Sequence, residues 1–511
     1  MSRPNESLHL LQHIPKDQLS SQLKAVLPEN VPFYMLLREP ASLTEFHCNQ
    51  PLAIWRENGT LLVWNCDEKN DECFRGRHLH FRLKGFAEID CAIYGEHDTA
   101  IAETFTYFTS LPHPADTTKK AVLQCYCDVN SRFDFVALQP EQLTRILDSN
   151  PTRRIELTAA ISAEQAHVLA TRPYPLDLML VGYDFAFLDR GTAFVEALEH
   201  RESSFGSLFT YCGEMEESIS SSNLKRLLEL ENIFQELQIS SPNEECVLLP
   251  FLAKVDVLDY RLYARYMEPD DFFLLNIVAK DLTLKFIMDG DDEWSAISIS
   301  FLIRVAELGH FVRFSFAYLC LSEIPFDPHT YAREVAMVVG ALIVAVNANP
   351  KLLYLDLSDD ASHVNWGPFF KYVFDEVKDH PSLCTIVVRT FNHDSEETGD
   401  EDEKFERRYC FHPAWLKQLL AHNRNIVVLD ESGNKCTNGS TIDEAYALNV
   451  FYNQSLRLVN ESCSVLRPLL VESALTERAS ANVQYTALLL WRHVDTLCEF
   501  IHGVDFEDAA F

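Results

Sequence analysis

The stretch KLLYLDLSDD, Lys351 to Asp360, sets Leu352, Leu355 and Leu357 in an apolar-x-x-apolar-x-apolar order. Alone it reads as one short buried strand; repeated, it reads as one rung of an array, and a missed repeat miscalls a whole fold. Three other stretches carry the same order: FQELQIS (Phe234, Leu237, Ile239), LCTIVVRTF (Leu383, Ile386, Val388) and FVRFSF (Phe311, Phe314, Phe316). Weaker versions occur at RIELTA, LDLML, SLFTY, DYRLY, DLTLKF and NIVVLD. Counted on the first apolar residue of each final pair, the steps from Ile155 through Leu178, Leu208, Leu237 and Tyr260 to Leu282 are 23, 30, 29, 23 and 22 residues. Two later steps are longer. Phe314 to Leu355 is 41 residues, although Phe316, Leu319 and Leu321 offer a second register, and Ile386 to Ile426 is 40.

Between the rungs lie SAEQAHVLAT, GTAFVEALEH, SSNLKRLLELE, WSAISISFLIRVAEL, YAREVAMVVGALIVAV, FFKYVFDEV and PAWLKQLLAH. Their apolar residues recur at three- and four-residue steps, as a helix covering one face of a sheet requires. Leu169, Val195, Leu198, Leu227, Leu228, Val335, Val339, Ile343 and Leu419, with Trp366 and Trp415, are the expected core. Strand then helix, repeated, resembles the leucine-rich repeat family, specifically its ribonuclease-inhibitor-like kind, over about residues 130 to 430. That family places Asn or Cys three residues beyond the second core position, where this chain has Asp360 after Leu357 and Pro242 after Ile239. The segment AEQAHVLATRPYPLDLML is also similar to stretches in uncharacterised repeat proteins of microalgae. The resemblance implies an α/β solenoid with a curved parallel sheet.

Residues 31–128 read differently. FYMLLRE, LAIW, TLLVWNC, HLHFRL, IDCAIY, TFTYF and VLQCYC are short, aromatic and often alternating, and Asn58-Gly59 marks a hairpin. The expected organisation is an N-terminal segment (1–30), a β-rich module or cap (31–128) and a repeat solenoid (129–440). An acidic loop at 393–408 interrupts the solenoid, and a helical C-terminal cap (441–511) closes it.

Lys and Arg number 43 against 76 Asp and Glu, a formal charge of −33 that repels phosphate backbones and anionic lipid. Neither nucleic acid nor a membrane is an expected partner. The longest apolar run, Val335 to Val346, is short of the ~20 residues a bilayer crossing needs. MSRPNESLHLLQHIPKDQ lacks a signal pattern, so the expected compartment is the cytoplasm, with the nucleus open. On that reading the 14 cysteines are reduced thiols, and the sequons at Asn5, Asn58, Asn438, Asn453 and Asn460 are coincidental.

Cys66, Cys73, His78 and His80 admit two readings, a metal site or an acidic hairpin with incidental thiols; their spacing is not that of a zinc motif. No nucleophile elbow, dinucleotide fingerprint or Walker loop occurs, so no catalytic residue, metal or cofactor is assigned. Alternation across strands does nominate one face, because residues between two core positions point away from the core. It carries Glu156, Gln238, Arg261, Thr283, Ser315 and Asp356, with Met179, Phe209, Val387 and Val427; Lys285, Arg313, Tyr354 and Arg389 stand one step outside the core pair. Arg261, Lys285, Arg313 and Arg389 would form a basic stripe in an acidic body, suited to an acidic segment, the chain's own 393–403 included. The expectation is a non-enzymatic interaction scaffold binding a protein or peptide on the concave strand face. Two alternatives stand: a ubiquitin-ligase substrate receptor, although residues 8–40 lack an F-box pattern, or a sugar- or metal-binding enzyme using Trp55, Trp64, His78 and His80.

Overall fold

The computed structural model describes residues 10–15, 31–46, 51–65, 77–85, 88–112, 120–126, 133–181, 185–211, 218–240, 244–288, 293–320, 328–358, 366–390 and 401–459, with scattered positions between 470 and 496. The chain forms two units: Met1–Tyr266 with Leu275–Ala279, and Met267–Leu274 with Lys280–Phe511.

The first unit holds strands β1 (Leu11–His13), β2 (Phe33–Leu36), β3 (Leu52–Trp55), β4 (Leu61–Trp64), β5 (His78–Lys84), β6 (Ile89–Tyr94), β7 (Val122–Tyr126), β8 (Arg154–Leu157), β9 (Leu176–Leu180), β10 (Gly206–Tyr211), β11 (Phe234–Ser240) and β12 (Val257–Tyr263). They pair in the order β1-β2-β3-β4-β6-β5-β7-β8-β9-β10-β11-β12. Pairing is antiparallel up to β7, apart from β2 with β3, and parallel from β7 onward. The β-rich module and the first rungs therefore share one ladder, joined where Leu123 faces Ile155.

The antiparallel half begins with the expected hairpin. Gly59 takes φ +85°, which its missing Cβ permits, and the Arg56 amide bonds the Thr60 carbonyl at 3.0 Å. TFTYF, grouped with the strands on composition, lies instead in a helix, α1 (Asp98–Thr109). Ile101, Phe105 and Phe108 recur at helical spacing on its buried face, and the Thr106 and Thr109 hydroxyls donate back to the Ala102 and Phe105 carbonyls at 2.7 Å. Burial outweighs the strand preference of Thr, Tyr and Phe.

Each parallel step needs a crossover. It comes from α2 (Pro140–Ser149), α3 (Ala163–Ala170), α4 (Thr192–Glu199), α5 (Ser221–Glu229) and, before β12, two short 3-10 turns. Ser162 starts α3 with a capping box, accepting from the Gln165 amide at 3.2 Å while Gln165 accepts from the Ser162 amide at 2.9 Å. The core row runs Ile155, Leu178, Leu208, Leu237, Leu258. Tyr260, expected opposite Leu237, lies opposite Ile239, so the last rung is slipped by two residues.

In the second unit β13 (Asp281–Met288), β14 (Arg313–Cys320), β15 (Tyr354–Asp356), β16 (Thr385–Val388) and β17 (Val427–Asp430) are parallel and pair in chain order. The opening stretch is a rung: Leu355 is fully buried between Phe314 and Ile386. Phe314, not Leu319 of the second register, faces Leu355, and Val428, not Ile426, faces Ile386. The helices are α6 (Trp294–Leu308), α7 (Pro328–Asn347), α8 (Phe370–Val377), α9 (Glu401–Tyr409), α10 (Pro413–His422) and α11 (Thr441–Val459). The 20-residue α7 accounts for the long step before β15. The expected core residues are buried, except Ile343 and Trp415, which are half-buried. Of the acidic segment 393–408, expected as a loop, residues 401–408 belong to α9. There Phe405 and Tyr409 are buried and Phe405 meets the Phe411 ring at 5.3 Å; 393–400 lie outside the described residues. No helix among the described residues is long and apolar enough to cross a membrane.

The last carbonyls of a helix lack partners within it. In the first unit, Asn150 donates to Leu111 O (3.2 Å), Arg153 to Thr109 O (2.9 Å) and Arg201 to Ala170 O (2.7 Å). In the second, Asn349 donates to Val305 O (3.2 Å), His380 to Asn349 O (3.1 Å), Asn423 to Lys378 O (3.0 Å) and Asn449 to Leu420 O (2.8 Å). Most of these side chains stand just after a helix, and Asn449 stands within α11; each ties its element to the end of an earlier helix or to the turn after one, from positions other than the asparagine place of leucine-rich repeats. At the final strand residues 434–436 pair antiparallel along the outer edge of β17, Cys436 N donating to Val428 O at 3.0 Å, and the Tyr446 hydroxyl of α11 accepts from Val428 N (3.2 Å) and donates to Val428 O (3.1 Å).

Candidate partner-binding face

Strand alternation buries one face under the helices and leaves the other half-exposed. In the first unit two rows cross it. One runs Asp90, Arg82, Gln124, Glu156, Met179, Phe209, Gln238, Asp259; the other runs Lys84, Val122, Arg154, Asp177, Ser207, Glu236, Val257.

Most charges on these rows are paired with neighbours. Arg82 binds Asp90, Gln124 binds Glu156, and Lys120 and Arg154 both reach Asp177, the latter at 2.9 Å. Tyr126 donates to Gln124 at 2.7 Å. The exception is the centre, where Met179 lies opposite Phe209 and a hollow of about 30 Å³ opens beside Arg154, Asp177, Ser207 and Glu236. That volume suits one water. The Arg261 guanidinium stands 5.9 Å from the Phe209 ring centroid.

The slip at β12 changes the chemistry of this row. Asp259 holds the place beside Gln238 expected for Arg261, and Arg261 sits opposite Ser240.

In the second unit the rows are Asp281, Arg313, Tyr354, Thr385, Val427 and Thr283, Ser315, Asp356, Val387, Leu429. Arg313 stacks on Tyr354 at 3.7 Å and lies 3.9 Å from Asp281. The Tyr354 hydroxyl donates to Asp356 at 3.2 Å, and burial together with that carboxylate raises its pKa. Asp356 also accepts from the Ser358 amide at 2.9 Å. Lys285 lies opposite Ala317, four positions along β13 from the Asp281 that faces Arg313, and Arg389 follows the end of β16. The structure thus brings Thr283, Ser315 and Asp356 into one row and Arg313 with Tyr354 into another, while Lys285 and Arg313 stand in different rows. Glu156 and Gln238 share a row in the first unit.

Sequence reasoning missed Arg82, Gln124, Arg154, Asp177 and Asp259 on this face. The signal was present, since HLHFRLK and VLQCY alternate just as the rungs do. In the N-terminal module Trp64 is buried against Phe46 (5.0 Å), so it belongs to the core and offers no platform for a sugar ring. The His78 and His80 rings lie 4.8 Å apart, with His78 beside Tyr94; Cys66 and Cys73 are outside the described residues. No group of three His, Cys, Asp or Glu suited to a metal ion occurs among the described residues. No protein-family model matches the chain, and no curated protein matches it either.

Proposed function

We propose that the chain is a non-enzymatic interaction scaffold, built as a leucine-rich-repeat-like solenoid, that binds a protein or an extended peptide across its open strand face. One observation carries the reading: Met179 and Phe209 form an apolar centre on a face whose surrounding charges are largely satisfied by one another. An apolar anchor ringed by polar groups is the arrangement of an interface hot spot, where one aromatic contact supplies a large share of the affinity. Satisfied rim charges cost little to cover, because neither partner of a pair is stranded when water leaves.

The test is quantitative affinity capture from the source cells with wild type, Phe209→Asp, and Leu188→Asp as a control at an exposed site away from the strands. Expected is a set of proteins lost with Phe209→Asp and retained with Leu188→Asp, the variants having unchanged circular dichroism. Identical capture by all three proteins sinks the proposal.

A further inference from the structure

On the helical side of the first unit, remote from the strand rows, α3 and α4 leave a cleft of about 460 Å³. That is within the range of ligand pockets, ~300–1,000 Å³. It exists because the facing positions are small: Ala170 on α3, and Ala193 and Ala197 on α4, with Pro173 also lining it. Larger side chains there would pack the helices and fill the space.

The polar groups are unusual for a chain of charge −33. Arg172 and Arg201 line the cleft with His167 and His200, against the single carboxylate of Glu196. Arg201 hydrogen-bonds only to carbonyls and lies 5.6 Å from the Phe205 ring centroid: Nε donates to Ser203 O (2.9 Å), Nη1 to Ala170 O (2.7 Å), and Nη2 to Tyr174 O (3.0 Å) and Ser204 O (2.9 Å). Those bonds fix its position without neutralising it, and partial burial lowers its pKa, the mark of a cation short of counter-charge. Arg172 shares Asp148 at 3.3 Å and donates Nε to Val168 O at 3.2 Å, so its Nη2 is directed to none of these acceptors. An alanine floor beside a fixed guanidinium suits a ligand with an apolar body and one anionic end.

We propose that this cleft binds a small amphiphilic carboxylate, its apolar body on the half-exposed Ala193 and Ala197 and its carboxylate toward Arg172 and Arg201. The test titrates the full chain, with isotope-labelled alanine methyls, using phenylacetate, its neutral analogue phenylacetamide, and inorganic phosphate. Expected are saturable shifts of the Ala193 and Ala197 methyl signals with phenylacetate, at least about tenfold weaker binding of the amide, and no saturable shift of those methyls with phosphate. Ala193→Phe, at a half-exposed position, fills the cleft and abolishes the response. His167→Glu, at an exposed rim position, adds a carboxylate and weakens binding about tenfold without touching either arginine's tethers. Equal binding of acid and amide overturns the proposal, as does saturation by phosphate alone or an Ala193→Phe variant that still responds. Failure here leaves the strand-face proposal untouched, because no residue is shared.

Discussion

Asn349 offers the sharpest test of how the second unit is held together. It is 1% exposed, yet its amide makes three bonds: Oδ1 accepts from the Phe311 amide at 2.9 Å, and Nδ2 donates to Val305 O at 3.2 Å and Ala345 O at 2.8 Å. One side chain therefore joins the end of α6, the end of α7 and the entry to β14. Asn349→Ala removes about 1 kcal/mol for each bond and strands the Phe311 N–H without water, which costs about 1 kcal/mol or more again. The sum is about 4 kcal/mol. For a unit of this size urea slopes are on the order of 2.5 kcal/mol per molar, so the unfolding midpoint should fall by about 1.5 M. Asn349→Asp keeps the acceptor for Phe311 but turns a carboxylate toward two carbonyls, and should be at least as harmful. Asn423→Ala, half-buried and with one carbonyl tether at 3.0 Å, should cost only about 1 kcal/mol. The assay is urea denaturation at 25 °C followed by fluorescence, with Trp294 and Trp366 reporting from the buried side of the same unit. A midpoint for Asn349→Ala within about 0.2 M of wild type would refute the reasoning, because 0.5 kcal/mol is less than a single hydrogen bond.

Three further outcomes follow from buried polar groups. His380 is buried neutral, its Nδ1 accepting from Leu383 N at 2.9 Å, and burial lowers its pKa from 6.5. The unfolded chain therefore takes up the proton first, and wild type should lose stability relative to His380→Gln as pH falls through 6.5, with no difference in slope above pH 8; parallel slopes down to pH 5 would contradict this. Arg153 is 1% exposed and burial depresses its pKa to about 10. Its charge costs on the order of 3 kcal/mol below pH 10, relieved as pH rises toward 12.5, so Arg153→Met should match or exceed wild type in thermal melts at pH 7 while Arg153→Ala, which leaves a cavity, falls below it. Tyr446→Phe strands the Val428 N–H, while the Val428 carbonyl keeps the Cys436 amide at 3.0 Å, and should cost about 1–3 kcal/mol in urea denaturation; an unchanged midpoint would contradict this.

The core rows were legible because burial writes a period of two into strands and three to four into helices, and Leu355, Phe314 and Ile386 obey it. The tethers were not legible, because the task of satisfying a helix-end carbonyl can be met by Asn, Arg or His at whatever position the turn brings near. Asparagine recurs as the C-cap five residues ahead of the core row at Asn150 and Asn423, but Asn349 and His380 stand six ahead, and Arg153, Arg201 and Asn449 stand elsewhere, so the offset does not hold along the array. TFTYF was misread for a related reason: its residues favour strands locally, and only the partners of Phe105 and Phe108 decide otherwise.

Register is where sequence reading failed with the largest consequence. A slip of one residue would turn every core side chain to the wrong face, so patterning forbids it. A slip of two keeps every side chain on its own face, and Leu258, Tyr260 and Leu262 are nearly equivalent candidates for a core position. Nothing in the alternation separates them, yet the choice decides whether Asp259 or Arg261 stands beside Gln238. A charge pattern read across rows therefore changes sign with a register that hydrophobicity leaves open. An apolar residue on the open face is less sensitive. Phe209 stays half-exposed beside Met179 or its neighbours whichever way an adjoining rung slides by two, and that is why the binding proposal rests on Phe209 and Met179 and not on a basic stripe.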